Sequence, residues 1–428
     1  MQAQQPIAVP ATGVAAQEFG LTPCEGGVCA AKGMRAAGVV AGLRGDPNRR
    51  DLALVAANKT CVCAATFTQN RFCAAPVQVS REHVCNGLAR AVVLNSGNAN
   101  ASTGEPGIAV ARQTAALVAH ELGCDEQDVL VGSTGVIGVP LKLDGFRTGV
   151  PMACKALANT PQAAHDAAVA VMTTDTVPKE SAYTGTIPAG GGAQTTFSVG
   201  GFVKGSGMIQ PNMATMLSVL STDAPLSASA ARAALKAAVD QTFNKVTVDS
   251  DTSTNDTCIL FATGCAGGPV IEEDSAAYPA VAAAILCVCE DLARMIAADG
   301  EGATKLVTVD VVGARTKADA LTVARSIANS PLVKTAIFGH DANWGRVAAA
   351  AGKCGVDFCQ DNVDIDLLGV PVLRSGLPLP MDEEDMLRRF EGPEVTIAIS
   401  LGEGEAGERV WTCDLTHEYI TINGDYRT

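Results

Sequence analysis

The sequence predicts an α/β protein, on two observations. Short runs of β-branched and aliphatic residues alternate with stretches of helical spacing along the chain, as strands and helices do when they pack in layers. Of the 428 residues, 47% are hydrophobic and only 18% are charged, less than the roughly 25% of an average globular protein. The chain can therefore bury a large core, and its length suggests two or three domains or lobes of roughly 150 residues each.

The predicted elements follow in chain order. A buried strand at residues 91–94 leads through a turn-rich segment into a helix that ends before Gly123. The apolar face of that helix is formed by Ile108, Ala111, Ala115, Val118 and Leu122. Further strands are predicted at residues 129–131, 246–249, 306–312 and 395–401. Further helices are predicted from the cap Ser227 to about residue 241, at residues 276–298 and at residues 318–328.

Charge and composition exclude several classes of partner. The net charge is −14 and the pI about 4.8, and no cluster of Lys and Arg offsets the acidity, which argues against nucleic-acid and membrane-surface binding. Residues 1–20 lack the positive and apolar regions of a signal peptide, and no apolar run reaches the roughly 18 residues of a membrane span. We therefore expect a cytoplasmic protein that meets an anionic substrate only through a local cation.

The 15 cysteines are predicted to be reduced thiols. Their number is odd, no C-x₂-C pair occurs, and only five histidines are scattered along the chain. This pattern favours neither a disulfide framework nor a zinc site, and most of the thiols are expected to be buried as small hydrophobic groups. No metal is predicted.

Residues 204–224, KGSGMIQPNMATMLSVLSTDA, combine a constrained loop with an apolar run. Gly205 and Gly207 permit backbone conformations closed to other residues, and Pro211 fixes its own φ. The loop delivers the dipeptide Ala214–Thr215 immediately before a stretch that is typical of a core strand. Such a position is suited to a nucleophile, and it is equally compatible with a Gly-rich turn in which Thr215 fills a β position.

A nucleophilic Thr215 needs a base. No histidine is close to it in sequence, but a threonine can use its own α-amine once the chain is cut just before it. The α-amine has a pKa of about 7.7–8.0, which suits a general base near neutral pH. The sequence therefore favours self-cleavage if Thr215 is catalytic.

Three other stretches invite functional interpretations. Residues 131–138, VGSTGVIG, end a strand in Gly-flanked hydroxyls that suit either an oxyanion hole or a tight turn. Residues 171–180, VMTTDTVPKE, concentrate hydroxyls before a proline, which turn chemistry explains equally well. Residues 246–257 hold three aspartates, but the EF-hand pattern is not met, and a hydroxyl-rich loop after a strand is favoured.

In this order the motifs resemble one family. KGSGMIQPNMATML, preceded by VGSTGVIGVPL and MTTDT-x-PK, followed by DGEGATK and NWGR and ending in Y-x-x-IN-x-DY-x-T, resembles ornithine acetyltransferase, the glutamate N-acetyltransferase of the cyclic arginine pathway. The resemblance extends from about residue 10 to residue 428. It implies stacked α-β-β-α layers with a smaller C-terminal lobe from about residue 300.

The resemblance also implies a processing event and a set of site residues. The precursor would cut itself between Ala214 and Thr215 into chains of residues 1–214 and 215–428, assembled as a heterotetramer of two copies of each. Thr215 would be the nucleophile, and the Thr134 hydroxyl with the Gly135 N–H would form the oxyanion hole. The positions that match the family's substrate contacts are Thr173, Lys204, Thr215, Glu301, Asn423 and Thr428.

The reaction that the resemblance implies is ping-pong acyl transfer. The acetyl group of N²-acetyl-L-ornithine would pass to Thr215 and then to L-glutamate, with no metal or redox cofactor and with acetyl-CoA as a possible second donor. Lys204 is expected to meet the substrate carboxylate and Glu301 its ammonium. The final residues, ITINGDYRT, are expected to form a strand that carries the tail inward. The alternatives are a self-processing amidase or aminopeptidase of related fold and a non-catalytic binding protein.

Overall fold

The computed structural model describes residues 5–9, 13–210 and 216–425, so that Ala214, Thr215 and Thr428 lie outside the described residues. The described chain forms two compact units. The larger unit consists of residues 13–244 and 251–296, and the smaller unit consists of residues 5–9, 245–250 and 297–425. Each unit contains its own mixed sheet and helices. The protein is therefore α/β with layered sheets, as the sequence predicted.

The larger unit contains nine strands and seven α-helices in the part of the chain that the structure describes. Its strands are β1 (Thr22–Pro23), β2 (Met34–Val39), β3 (Leu52–Phe67), β4 (Leu88–Asn98), β5 (Val129–Val136), β6 (Lys179–Gly190), β7 (Ala193–Lys204), β8 (Leu217–Thr222) and β9 (Thr257–Ala262). Its helices are α1 (Val14–Glu18), α2 (Ala75–His83), α3 (Gly104–Leu122), α4 (Asp144–Ala156), α5 (Pro161–Val171), α6 (Ala228–Gln241) and α7 (Tyr278–Ala298).

The long strand β3 joins two halves of one sheet. Strand order is β1-β6-β7-β8-β9-β3-β4-β5, with β2 beside β3. The first part of β3 pairs with β2 and β4, and its last part, residues 62–67, pairs with β9. Leu94 and Leu130 on one half share a buried cluster with Phe202, Val219 and Ile259 on the other. The two halves therefore face each other across an apolar core.

Helices cover the outer faces of these two layers. Alternate residues of β4 and β5 point away from the shared core and pack against α3 and α4, in a second cluster that includes Val93, Val131 and Phe146. On the other half, α6 packs on β3 and β9 with its alanine-rich face. Helix α7 is tied to β6 by the Ser181 hydroxyl, which donates to Asp291 at 2.7 Å. This is the α-β-β-α order that the resemblance implied.

The smaller unit is a six-stranded sheet covered by helices, within the described residues. Its strands are β10 (Leu306–Ala314), β11 (Asp364–Leu367), β12 (Val370–Arg374), β13 (Leu377–Pro378), β14 (Glu394–Ser400) and β15 (Ala406–Cys413), in the order β13-β12-β11-β14-β10-β15. Its helices are α8 (Lys317–Ala328), α9 (Pro331–Phe338), α10 (Trp344–Gly352), α11 (Glu383–Phe390) and α12 (His417–Asp425). Val309, Ile365 and Ile397 pack against Val323 and Ile327 in its core.

Most predicted elements are confirmed with boundaries close to those expected. The strands predicted at residues 91–94, 306–312 and 395–401 lie within or overlap β4, β10 and β14. Gly123 ends α3 with a φ of 64°, and Ser227 caps α6 by accepting the Ala230 N–H. No helix among the described residues is long and apolar enough to cross a membrane.

Three local predictions were wrong. Residues 246–249 form no strand: Val246 makes a single bridge to Trp411, and the positive φ of Ser250, 68°, turns the backbone out of extended geometry. Strand β5 does not stop at Val131, because β4 continues beside it and pairs with Gly132–Gly135. The tail forms helix α12 up to Asp425 instead of a strand. Just before that helix, the Thr416 hydroxyl accepts the Glu418 N–H at 3.1 Å.

The tightest approach of a helix to the sheet predicts one mutational effect. A Cβ at Gly38 in β2 would lie 1.9 Å from the backbone oxygen of Asp166 in α5. Gly38→Ala should therefore push α5 off the sheet and lower the free energy of unfolding by about 1–3 kcal/mol or more, measured by denaturant titration. Gly352→Ala in α10 is the control, because its Cβ meets nothing within 4 Å. Equal stability of both variants would contradict this account of the packing.

Candidate active site

Thr134 and Gly135 lie near the end of β5, beside an irregular stretch of β4. The register between the strands shifts at Gly97 and Asn98, and Gly135 has a φ of 131°. A Cβ on Gly135 would lie 2.3 Å from the carbonyl carbon of Gly97. Only glycine fits this position, so the chain can turn here and leave Thr134 half-buried at the edge of the core.

A buried amide network fixes this end of β5. The Ser133 hydroxyl donates to Asn95 Oδ1 at 2.6 Å, and Asn95 Nδ2 donates to the Asn98 carbonyl at 3.0 Å. Asn255, from the loop before β9, donates from Nδ2 to the Ser133 carbonyl at 2.9 Å and to the Ala99 carbonyl at 2.5 Å. These polar groups are almost entirely buried and mutually satisfied, so they hold the backbone around Thr134 in one arrangement.

The loop at residues 251–257 also holds both sides of the segment 211–215. On the first side, the Gln210 N–H donates to the Asp251 carbonyl at 2.8 Å, and the Thr252 hydroxyl donates to the Gln210 carbonyl at 2.8 Å. On the second side, the Thr257 N–H donates to the Met216 carbonyl at 2.8 Å. The loop that the sequence singled out for its aspartates therefore organises its neighbours, and it does so through backbone and hydroxyl groups.

The end of β5 and the start of β8 approach each other across the core. A Cβ built on Gly132 would lie 3.6 Å from the Cδ2 atom of Leu217. Gly132 stands two residues before Thr134, and Leu217 stands two residues after Thr215. The candidate oxyanion-hole residues and the strand that follows the candidate nucleophile are therefore near neighbours in the fold.

Lys204 is the last residue of β7 and lies in a buried cluster of charges. Lys179 Nζ and Asp175 Oδ1 are 2.8 Å apart, and the exposed fractions are 1% for Lys179, 6% for Asp175 and 9% for Lys204. Burial alone would raise the pKa of Asp175, but the positive charges of Lys204 and Lys179 outweigh it and hold the pKa well below its usual range. Asp175 is therefore ionised, and Lys204, a predicted substrate contact, lies close to it in this cluster.

Asp175 also accepts backbone N–H groups from Thr173 and from Gly205, the residue after Lys204. Its Oδ2 atom accepts the Thr173 N–H at 2.9 Å, and its Oδ1 atom accepts the Gly205 N–H at 2.8 Å. Thr173 itself is half-buried and its carbonyl accepts from Arg49 at 2.9 Å. Thr173 and Lys204, which are distant in sequence, are thus brought together by one carboxylate.

Glu301 and Asn423 meet in the smaller unit. Asn423, on α12, donates from Nδ2 to Glu301 Oε2 at 2.7 Å, and Glu301 is 7% exposed. The tight packing at Gly302 brings the two segments together, because a Cβ there would lie 2.6 Å from the Tyr419 nitrogen. The Glu301 carboxylate therefore accepts a hydrogen bond from the Asn423 amide in the last turn of α12.

Sequence reasoning missed the residues that hold the predicted ones in place. Asp175 and Lys179 both stand in VMTTDTVPKE, but a turn explained that stretch, and their burial cannot be recognised from the letters alone. Asn95 and Asn255 were likewise assigned to turn-rich or hydroxyl-rich loops. All 15 cysteines are free thiols, and within the described residues no three His, Cys, Asp or Glu side chains are grouped as a metal site.

Known proteins match this chain over nearly its whole length. The model of a family described as the ArgJ family matches residues 35–428. The arginine biosynthesis bifunctional protein ArgJ of Symbiobacterium thermophilum is 47% identical over 404 residues, which cover 94% of this chain and 99% of that protein. The chain belongs to the ArgJ family. The ArgJ protein of Bacillus subtilis is 42% identical over 404 residues, covering 94% of this chain and 97% of the relative.

Solved structures of relatives match parts of the chain. An ArgJ crystal structure from Bacillus halodurans is 39% identical with a TM-score of 0.47, covering 48% of this chain and 97% of that one. An ornithine acetyltransferase from Mycobacterium tuberculosis, solved with ornithine, is 36% identical with a TM-score of 0.41, covering 46% and 100%. Membership of the ArgJ family identifies the chain as an acyltransferase of arginine biosynthesis and confirms the predicted family.

The amide network yields a structural prediction. Asn255→Ala leaves the carbonyls of Ser133 and Ala99 without their buried donor, so the free energy of unfolding should fall by about 1–3 kcal/mol. The amides of residues 133–136 should exchange hydrogen faster, as measured by mass spectrometry.

The matched control is Asn86→Ala. Asn86 is exposed and accepts the Leu88 N–H at a surface turn, at 2.9 Å, so its loss should change stability by less than about 0.5 kcal/mol. Unchanged exchange at residues 133–136 in the Asn255 variant would show that the network does not hold β5.

Proposed function

We propose that this enzyme transfers the acetyl group of N²-acetyl-L-ornithine to L-glutamate through an acetyl ester on Thr215. The observation that carries the proposal is the approach of β5 to β8, which brings the Thr134–Gly135 turn near the strand that follows Thr215. A nucleophile and an oxyanion hole must lie within a few ångströms of one reacting carbonyl, and the nearness of Gly132 to Leu217 supports such an arrangement. Membership of the ArgJ family supports the same reaction class.

The nucleophile is proposed to arise by self-cleavage. The Thr215 hydroxyl attacks the Ala214 carbonyl carbon, the peptide C–N bond breaks, and the acyl group of residue 214 moves from nitrogen to oxygen. Water then hydrolyses this ester, which leaves a carboxylate on Ala214 and a free α-amine on Thr215. The backbone bonds at Gln210 and Met216 support this step, because they hold the chain on both sides of the scissile bond.

Acyl transfer then follows in two half-reactions. The α-amine of Thr215 takes the hydroxyl proton as the oxygen attacks the acetyl carbonyl of the donor. The Thr134 hydroxyl and the Gly135 N–H stabilise the tetrahedral oxyanion, and the amine of ornithine leaves with a proton. The amine of glutamate attacks the acetyl ester in the same way and restores Thr215.

Charged side chains are proposed to select the substrates. Lys204 is suited to the α-carboxylate, which needs a local cation on a chain of net charge −14. Glu301 is suited to the side-chain ammonium of ornithine, and its bond to Asn423 would orient the carboxylate. Thr173 and Thr428 are proposed to complete the polar contacts.

Four further features belong to the proposal. The reaction needs no metal or redox cofactor, because the nucleophile, base and oxyanion donors are all protein groups.

Acetyl-CoA is proposed as a second acetyl donor, in keeping with the bifunctional naming of the relatives. The cut chains are proposed to assemble as a heterotetramer with two copies of each, and the enzyme is proposed to work in the cytoplasm.

Self-cleavage before Thr215 can be measured directly. Intact-mass measurement of purified protein should show two chains of 214 residues each, residues 1–214 and 215–428. Thr215→Ala should remain a single chain without acetyl exchange, and Thr215→Ser should retain part of both activities because the hydroxyl survives. A wild-type chain that stays uncut after prolonged incubation in neutral buffer would contradict the mechanism.

The proposed oxyanion hole is tested by substitution of Thr134. Thr134→Ala should lower kcat for ornithine-dependent acetyl exchange by about 10²–10³-fold with little change in melting temperature, because one oxyanion donor is lost. Thr134→Ser is the control, since it keeps the hydroxyl and should keep most of the rate. Wild-type turnover in the alanine variant would remove Thr134 from the site, and release of free acetate in place of acetylglutamate would favour the amidase alternative.

A further inference from the structure

We infer that Asp175 is a positioning residue of this enzyme, which holds Thr173 and the Lys204–Gly205 peptide in the arrangement that substrate binding and self-cleavage require. The inference rests on the proposed function, because it assigns Asp175 a role toward the proposed substrate residues. Asp175 is not proposed to touch the substrate. It acts through the groups that it binds.

Asp175 contacts three segments of the chain. Oδ1 accepts from Lys179 Nζ at 2.8 Å and from the Gly205 N–H at 2.8 Å, while Oδ2 accepts from the Thr173 N–H at 2.9 Å. One carboxylate therefore joins the loop after α5, the start of β6 and the end of β7. All three bonds have the short lengths of charge-assisted hydrogen bonds.

The chemistry of the cluster requires a carboxylate at this position. Lys179 and Lys204 are 1% and 9% exposed, and two buried cations without a nearby anion would cost far more than one pair. An asparagine has the same shape as Asp175 but supplies no negative charge, and its amide nitrogen cannot accept the N–H of Thr173 or Gly205. The substitution therefore changes both the charge and the geometry of the cluster.

The position of Gly205 connects the cluster to processing. Gly205 is the first residue after β7 and begins the connection that leads through Gln210 to the bond between Ala214 and Thr215. Lys204 pairs in register with Leu217, so the two strands that flank this connection are adjacent at its base. Anchoring the Gly205 N–H therefore sets the direction in which the connection leaves the sheet.

The test uses the full-length chain with Asp175→Asn and Asp175→Glu. We expect Asp175→Asn to lengthen the half-time of cleavage at Thr215 by about tenfold or more. In the fraction that does cleave, it should raise KM for acetylornithine by about tenfold or more, the size expected when a charge-assisted hydrogen bond is lost. Asp175→Glu keeps the charge but adds a methylene, so it should recover melting temperature more fully than KM.

The matched control is Asp310→Asn in the smaller unit. Asp310 is also a buried carboxylate, 3% exposed, and its oxygens accept from Arg409 at 2.7 and 3.1 Å. Its loss should lower the melting temperature and leave KM and the cleavage half-time as in wild type.

Wild-type KM and a wild-type cleavage half-time in Asp175→Asn would overturn the inference, even if the melting temperature falls as much as in Asp310→Asn. If Asp175→Asn does not fold, Asp175→Glu decides the matter by the same two kinetic measurements. A wild-type enzyme that cleaves but does not exchange acetyl groups would contradict the proposed function, and the cleavage half-times would still test Asp175.

Discussion

The pairing of β3 with strands on both halves of the sheet is the constraint on which the larger unit depends. Because β3 pairs with β4 at one end and with β9 at the other, the layer that carries Thr134 and the layer that carries Lys204 belong to one hydrogen-bonded sheet. The apolar core between the layers then fixes their separation, since protein interiors are close-packed. The sheet and its core therefore fix the relative positions of the strands that carry the candidate site residues.

Buried polar contacts then fix the backbone of the candidate site on this sheet. Asn255 and Asn95 hold the backbone around Thr134, and Asp175 holds the backbone around Thr173 and Gly205. Asn255 and Asp175 each bind main-chain groups of a proposed site residue or of its neighbour in the chain. Buried polar groups are costly unless they are satisfied, so such contacts persist only where the surrounding fold specifies each partner. The supporting residues therefore restrict the backbone conformations available to the proposed site residues.

The sequence predicted periodic elements and glycine-marked turns well, and it predicted poorly what depends on partners distant in the chain. Alternation of apolar residues was enough for β4 and β14, and Gly123 and Ser227 marked helix ends through local chemistry. The segment at residues 246–249 resembles a strand, yet only Val246 finds a bridging partner, because strand formation needs a neighbour. The residues ITIN are β-formers that became helical in α12, where the Thr416 hydroxyl lies at the helix start. The burial of Asp175 and its bond to the Gly205 N–H, thirty residues away, likewise depend on the tertiary fold.

The order of strands in the larger sheet has a consequence for the two proposed chains. Strands β8 and β9 follow residue 215, and they lie between β7 and β3, which precede it. A cut before Thr215 would leave the sheet interleaved, so that neither product could leave without breaking two ladders of backbone hydrogen bonds and opening the shared core. Folding before the cut would be a unimolecular event, whereas refolding after it would require two molecules to meet. The stability of the mature enzyme would then depend on its concentration, and processing would convert a reversible fold into one that is retained kinetically.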